Sequence, residues 1–224
     1  MAVTDIAIEK IKRMILSGEL KPGDRLPKES DFAARLGLSR NSLREAVRAL
    51  ALVHVLDVRQ GDGTYVTSLE PDLLKEAVSF VADFHRDDTL LQFLHVRRIL
   101  EPEATALAAT HMSEADIKEL REILTSLSER PTVDELITND LRFHRRIAAG
   151  SGNAVLCSLI EGLAGPTTRA RTWRDLIREG AVARTREQHT AIYEAIASRR
   201  PDVARSWATV HIASVEDFLR RSLS

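Results

Sequence analysis

The chain has 224 residues, 44% of them hydrophobic and 29% charged, which supplies two modest cores and is too apolar for a disordered chain. A formal net charge of -1 excludes a wholesale basic attraction to nucleic acid, so any DNA-binding surface has to be a local concentration of Lys and Arg. The single cysteine, Cys157, excludes an intrachain disulfide framework and reads as a buried inert thiol in the run Val155-Leu156-Cys157-Ser158-Leu159-Ile160. No apolar run reaches the roughly 20 residues of a membrane span, and Met1 to Asp5 do not begin a signal peptide. The expectation is a soluble protein of the cytoplasm.

Up to about Thr67 the chain alternates short helical patterns with turns; beyond Pro71 it reads as helix after helix. That change of texture predicts a boundary in Ser68-Leu69-Glu70-Pro71-Asp72, with a first domain over 1–68 and a second over 72–224. Ile8, Ile11, Ile15 and Leu16 recur at helical spacing, and the turn from Gly18 to Asp24 stops that helix. A second helix follows Pro27, carries Phe32, Ala33 and Leu36, and ends at Gly37, a residue suited to a left-handed cap. Ser39 is a good N-cap for a third helix from Arg40 to Leu52, with Leu43, Val47 and Leu50 turned inward. Two helices joined by a tight turn form a helix-turn-helix. Residues 53–58 and 64–67 are β-favouring and flank Arg59-Gln60-Gly61-Asp62-Gly63, which predicts a hairpin.

The second domain shows about seven helical segments, near 72–84, 88–110, 113–129, 133–150, 153–177, 180–198 and 201–222. Ser113 with Asp116 and Thr132 with Glu135 predict capping boxes, and Pro201 fits a first helical turn. Gly165-Pro166 predicts a kink or a split in the fifth segment. The pattern implies an antiparallel all-α bundle.

Two constellations carry chemistry. On the third helix Arg40, Arg44 and Arg48 are four apart and share a face opposite Leu43, Val47 and Leu50. A planar guanidinium can take both guanine acceptors or grip a phosphate, and the neighbouring hairpin supplies a wing, so the face reads as a recognition helix rather than a solvated charge run. In the second domain Asp140 and His144 share one helical face, and His189 and His211 interrupt the apolar stripes Val182–Ile196 and Trp207–Phe218. Taken singly, each histidine also suits a hydrogen-bonded core or surface position; together the four suit a divalent first-row metal with positions left open. His54, His85, His95 and His111 lie outside this pattern.

Three runs resemble the GntR family: Gly18-Glu19-Leu20-Lys21-Pro22-Gly23-Asp24-Arg25-Leu26-Pro27-Lys28-Glu29, Leu38-Ser39-Arg40-Asn41-Ser42-Leu43-Arg44-Glu45-Ala46-Val47-Arg48-Ala49-Leu50, and Gly61-Asp62-Gly63-Thr64-Tyr65-Val66. The resemblance implies a winged helix-turn-helix in which Arg40 and Arg44 contact bases and phosphates. Ser39, Asn41 and Ser42 would assist at the DNA backbone, Gly61 would sit in the wing near the minor groove, and Arg25 would lie near phosphates. Ser30 and Gln60 stand where many relatives have basic residues, so operator preference is expected to differ.

From about Leu73 to Leu219, including Val96-Arg97-Arg98-Ile99-Leu100-Glu101-Pro102-Glu103-Ala104 and Glu187-Gln188-His189, the chain is similar to the FCD effector domain of the FadR subfamily. That similarity maps a metal set onto Asp140, His144, His189 and His211, with zinc as a fitting ion and nickel, manganese or iron as alternatives. It also implies an effector-holding arginine at Arg97, with Arg98 the neighbour if the register shifts by one; an ion pair between Arg97 and Glu101 is the other reading. The whole is expected to be mainly α, with a winged N-terminal domain and a small β-hairpin. Its expected role is a homodimeric repressor that binds double-stranded operator DNA and answers a small carboxylate. A metal-dependent enzyme is the runner-up and ranks below, because no glutamate is placed as a general base and residues 1–67 would have no task. A pure metal sensor is the third reading.

Overall fold

Contacts divide the chain into two units, Met1–Leu73 and Leu74–Ser224; the computed structural model describes residues 3–69, 71, 74–76, 78, 79, 87–128, 131–167 and 181–223. The first unit holds α1 (Val3–Leu16), α2 (Glu29–Leu36), α3 (Arg40–Leu52), β1 (Leu56–Arg59) and β2 (Gly63–Val66). Ala7, Ile11 and Met14 form the inward stripe of α1. Leu16, grouped with that stripe by spacing, is 76% exposed. It lies about 140° round the helix from Ile11, and Leu20 from the following turn is buried instead.

Gly37 ends α2 at φ 64, a left-handed value that costs glycine nothing, and its N–H returns to Ala33 and Ala34. The Ser39 hydroxyl accepts the Ser42 backbone N–H at 3.1 Å and starts α3. Leu43, Ala46 and Leu50 face the core with Phe32, Ala33 and Leu36 of α2, while Val47 is only partly buried. Strand β1 begins three residues later than the β-favouring run. Val53 is spent capping α3 and His54 turns the chain at φ 54. The strands pair antiparallel from Leu56 opposite Val66 to Arg59 opposite Gly63, and both Leu56 and Val66 close the core.

The second unit holds α4 (Asp87–His111), α5 (Glu114–Thr125), α6 (Val133–Gly150), α7 (Ala154–Thr167), α8 (Ala181–Ala197) and α9 (Pro201–Leu223). Residues 74–76, 78 and 79 are also helical; the rest of the expected first segment, and residues 168–177 of the fifth, lie outside the described residues. Helix α4 packs on α9, α7, α6 and α8, and α5 covers α6 and α8. Glu103 pairs with Arg205, and Arg98 with Glu216, so α4 and α9 run antiparallel. Both capping boxes form, Ser113 with Asp116 and Thr132 with Glu135. Helix α5 stops four residues short of the expected end because the Ser126 hydroxyl donates to the Ile123 carbonyl at 2.8 Å, closing the last turn.

Two prolines sit inside helices. Pro102 is buried in α4, which runs through it. Helix α7 continues through Gly165 and Pro166 to Thr167, where the described residues of that segment end, so the split expected there does not fall before Thr167. The carbonyl of Gly162, which a non-proline residue at 166 would have bonded, accepts the Ser79 hydroxyl at 3.3 Å.

Candidate nucleic-acid interface and metal centre

In the first unit Arg40, Asn41, Arg44 and Arg48 are exposed along α3. Arg44 Nε donates to Glu29 Oε2 of α2 at 2.9 Å, and Arg48 pairs with Glu45 at 2.9 Å. Ser39 and Ser42 spend their hydroxyls on each other, 2.8 Å apart, and on the cap. Gln60 and Gly61 are exposed at the hairpin tip. Arg25 donates to the Asp62 carbonyl and lies 3.7 Å from its carboxylate. Arg25, Lys28, Arg44, Arg48, Val58 and Asp62 line one groove between the helix-turn-helix and the hairpin. Sequence reading passed over Arg59, whose guanidinium lies 4.2 Å from the Tyr65 ring centroid and pairs with Asp57 at 2.9 Å. The wing therefore carries a basic group one position before Gln60.

In the second unit the inward faces of three helices meet. Asp140 and His144 lie one turn apart on α6, His189 on α8 and His211 on α9, all four buried, and one ligand atom from each lies within 4.8 Å of the others. His144 Nε2 is 3.2 Å from His211 Nε2 and 3.6 Å from Asp140 Oδ1. His189 Nε2 is 3.3 Å from His211 Nε2 and 3.5 Å from Asp140 Oδ1. Four of the six separations are thus 3.2–3.6 Å and all are within 4.8 Å, close enough for a single divalent ion to meet all four residues. The apolar stripe bearing His211 is Ala204, Ala208, Ile212 and Phe218, whereas Trp207 is 38% exposed.

The surrounding bonds decide which ring nitrogens carry protons. Glu101 Oε2 lies 3.0 Å from His144 Nδ1, and a carboxylate only accepts, so Nδ1 bears a hydrogen and Nε2 is the nitrogen turned to the cluster. The Ser214 hydroxyl donates to the Val210 carbonyl at 2.8 Å and accepts the Gln188 amide at 3.0 Å. That turns the Gln188 carbonyl oxygen toward His211 Nδ1, 3.0 Å away, and leaves His211 Nε2 with a lone pair. His144 Nε2 lies 3.2 Å from the His211 Nε2 lone pair and beside the Asp140 carboxylate, an arrangement that a cation resolves, either a proton on His144 Nε2 or a metal ion in its place. Carboxylate and carbonyl partners behind ligating imidazoles are the usual support of such a centre. The donor set fits a divalent ion.

Burial pushes His189 down to about 3 and His211 well below the ordinary value. Burial acts on His144 too, but Glu101 and then Asp140 outweigh it and hold the ring up at about 9. Asp140 is lowered despite burial, chiefly by His144. Phe143 stacks on His189 with centroids 4.2 Å apart and fixes the ring plane.

Arg97 points inward and forms a buried ion pair with Glu101, which in turn supports His144. Arg98 pairs with Glu216 at 3.5 Å and approaches His95 at 3.2 Å. A small pocket lined by Asn139, Asp140, Thr185, Arg186 and His189 among leucines and Val182 adjoins the cluster. Neither this pocket nor the supporting roles of Glu101 and Gln188 were assigned from spacing, because each is made by side chains from different helices. Arg186 Nη2 also donates to the Ser128 carbonyl at 2.7 Å.

Comparison with known proteins finds a family match for each unit. The description "Bacterial regulatory proteins, gntR family" matches residues 4–66, and the FCD domain matches residues 92–214. The chain is 32% identical to the HTH-type transcriptional regulator LutR of Bacillus subtilis, over 92% of this chain and 96% of that one. It is 30% identical to the Glc operon transcriptional activator of Escherichia coli, over 96% of this chain and 87% of that one. Among solved structures, the Streptococcus agalactiae GntR superposes with a TM-score of 0.72 at 25% identity, covering 96% of this chain and 99% of that one. These relatives are regulators, not enzymes, and no described helix is long and apolar enough to cross a membrane. The chain belongs to the GntR family of bacterial regulatory proteins, as a DNA-binding transcription regulator that carries an FCD effector domain.

Proposed function

We propose that the protein is a homodimeric repressor whose helical unit holds a divalent ion on Asp140, His144, His189 and His211 and answers a small organic acid bound beside it. The observation that carries this reading is the convergence of one ligand atom each from four buried residues, three imidazoles and one carboxylate, with Glu101 and Gln188 bonded behind the rings of His144 and His211. Zinc suits the donor set, and nickel, manganese or iron would also be accepted. The ion, when bound, supplies positive charge and open positions for a carboxylate. Asp140 and His189 line the adjoining pocket with Thr185, Arg186 and Asn139; its cavity of about 20 Å³ admits a water-sized group, so the acid has to open it further to enter.

An effector favouring one arrangement of α6, α8 and α9 would shift the population of DNA-binding states, which couples acid binding to operator affinity. Dimerisation is proposed through the helical unit, where Ile99 and Val96 of α4 are exposed apolar residues. Repression is proposed because a dimer seated on a two-fold site obstructs it by occupancy alone. On the DNA side we assign base and phosphate contacts to Arg40 and Arg44, with Arg25, Ser39, Asn41, Ser42, Arg48, Gln60 and Gly61 around them.

The test is elemental analysis of the purified protein beside His189→Ala and His211→Ala, joined to operator-binding titrations with zinc, with zinc plus small hydroxycarboxylates, and with chelator. Metal near one equivalent per chain that both substitutions remove, and an acid response that needs the metal, are expected. Full metal retention in both variants would overturn the centre. A response to zinc with no response to any acid would favour a pure metal sensor.

A further inference from the structure

The DNA-binding unit is almost neutral. Over the 4–66 segment that matches the GntR description, eleven Lys and Arg stand against nine Asp and Glu. The acids are not spread at random over its surface. Arg44 is paired with Glu29, Arg48 with Glu45, Arg59 with Asp57 and Arg25 with Asp62, and Glu29 and Asp62 line the same groove as Arg25, Arg44 and Arg48. Two of these pairs join separate segments, Glu29 on α2 to Arg44 on α3 and Asp62 at the wing tip to Arg25 before α2.

We propose that Glu29 is a specificity-determining residue of the DNA-binding face, and that Asp62 plays the same part at the wing. The Glu29 carboxylate takes the Nε edge of Arg44 at 2.9 Å, while the readout of guanine O6 and N7 can use the two terminal nitrogens of the guanidinium. Base readout by Arg44 therefore leaves the pair intact. A phosphate contact gains far less, because the carboxylate has already offset most of the charge that would attract it. The pair thus holds the arginine in a reading pose and subtracts from sequence-independent affinity, which widens the gap between correct and incorrect DNA. Asp62 offsets Arg25 in the same way, and the Tyr65 hydroxyl, donating to Asp62 Oδ2 at 2.8 Å, holds that carboxylate in place.

This inference rests on the reading of α3 as the DNA-facing helix. The test uses the full-length protein, a mixed-sequence duplex, and an operator chosen by selection with the wild type from a random duplex library. Glu29→Gln and Asp62→Asn keep side-chain size and remove charge. Each is expected to raise affinity for the mixed duplex roughly three- to tenfold and to steepen its salt dependence by about one counterion. Affinity for the selected operator should rise less, so the specificity ratio falls. Glu19→Gln, which releases Arg35 outside the groove, is the charge-matched control and should leave the ratio unchanged. Unaltered mixed-duplex affinity and salt slope in folded Glu29→Gln, or an equal rise in the Glu19→Gln control, would overturn the proposal. Arg44→Ala separates the two levels: if it weakens DNA binding while Glu29→Gln changes nothing, this inference alone fails. If Arg44→Ala also changes nothing, the reading of α3 fails and takes the inference with it.

Discussion

The carbonyl oxygen of Gln188 on α8 accepts the Nδ1 proton of His211 on α9 at 3.0 Å, and it can do so in one orientation because Ser214 takes the amide of the same side chain. The bond fixes both the tautomer and the aim of a buried imidazole. Gln188→Ala is expected to lower zinc affinity about 10–100-fold while leaving the fold unchanged. Competition with a chromophoric chelator measures the affinity, and circular dichroism checks the fold. Undiminished affinity in the folded variant would show that the orientation of His211 is set elsewhere.

Arg97 and Glu101 form an ion pair that is almost fully buried, and Glu101 is held at about 2: burial alone would raise it, but Arg97 and then His144 outweigh that. Removing Arg97 leaves the buried Glu101 carboxylate only the His144 ring to offset it. Arg97→Ala should therefore destabilise the helical unit by about 3–5 kcal/mol, whereas Arg98→Ala, which takes away a half-exposed partner of Glu216, should cost much less. Denaturant unfolding of both variants decides; equal midpoints would refute the distinction.

Arg44→Ala should weaken binding to a selected operator by about 1–3 kcal/mol if the side chain reads a base pair. A contact to phosphate would instead lower binding to all duplexes alike and flatten the salt dependence. Fluorescence anisotropy across a salt series separates the two, and wild-type affinity in the folded variant would remove Arg44 from the interface.

The two capping boxes are expected to contribute to the loss of stability of the helical unit in acid. Asp116 is held below 3.8, chiefly by the backbone N–H of Ser113, and Glu135 below 4.5, chiefly by that of Thr132. A carboxylate whose folded value is depressed contributes stability that is present above its unfolded value and lost as pH falls through the folded one. Asp116→Asn combined with Glu135→Gln should therefore lower thermal stability at neutral pH and lessen the loss of stability on acidification below about pH 4. An unchanged acid limb in the double variant would place that loss on other carboxylates.

Much of this architecture is written locally in the chain. The limits of α3 follow from Ser39 and the apolar spacing of Leu43 and Leu50, the end of α2 from Gly37, and the starts of α5 and α6 from their capping boxes, because each depends on residues within one or two turns. The likeness to a winged helix-turn-helix was legible for the same reason, its turns and helix faces being encoded in consecutive residues. Helical spacing also placed Asp140, His144, His189 and His211 on inward faces. It could not say that α6, α8 and α9 bring those faces to a single point, since spacing describes a face and not its neighbour. The protons on His144 and His211 were beyond it too, because Glu101, Gln188 and Ser214 reach them from other turns and other helices. The Gly162 carbonyl, which Pro166 leaves without its helical donor, is met by Ser79, distant in sequence. Only the tertiary structure paired Arg44 with Glu29 and Arg25 with Asp62, because the partners come from segments far apart in the chain and no local spacing relates them.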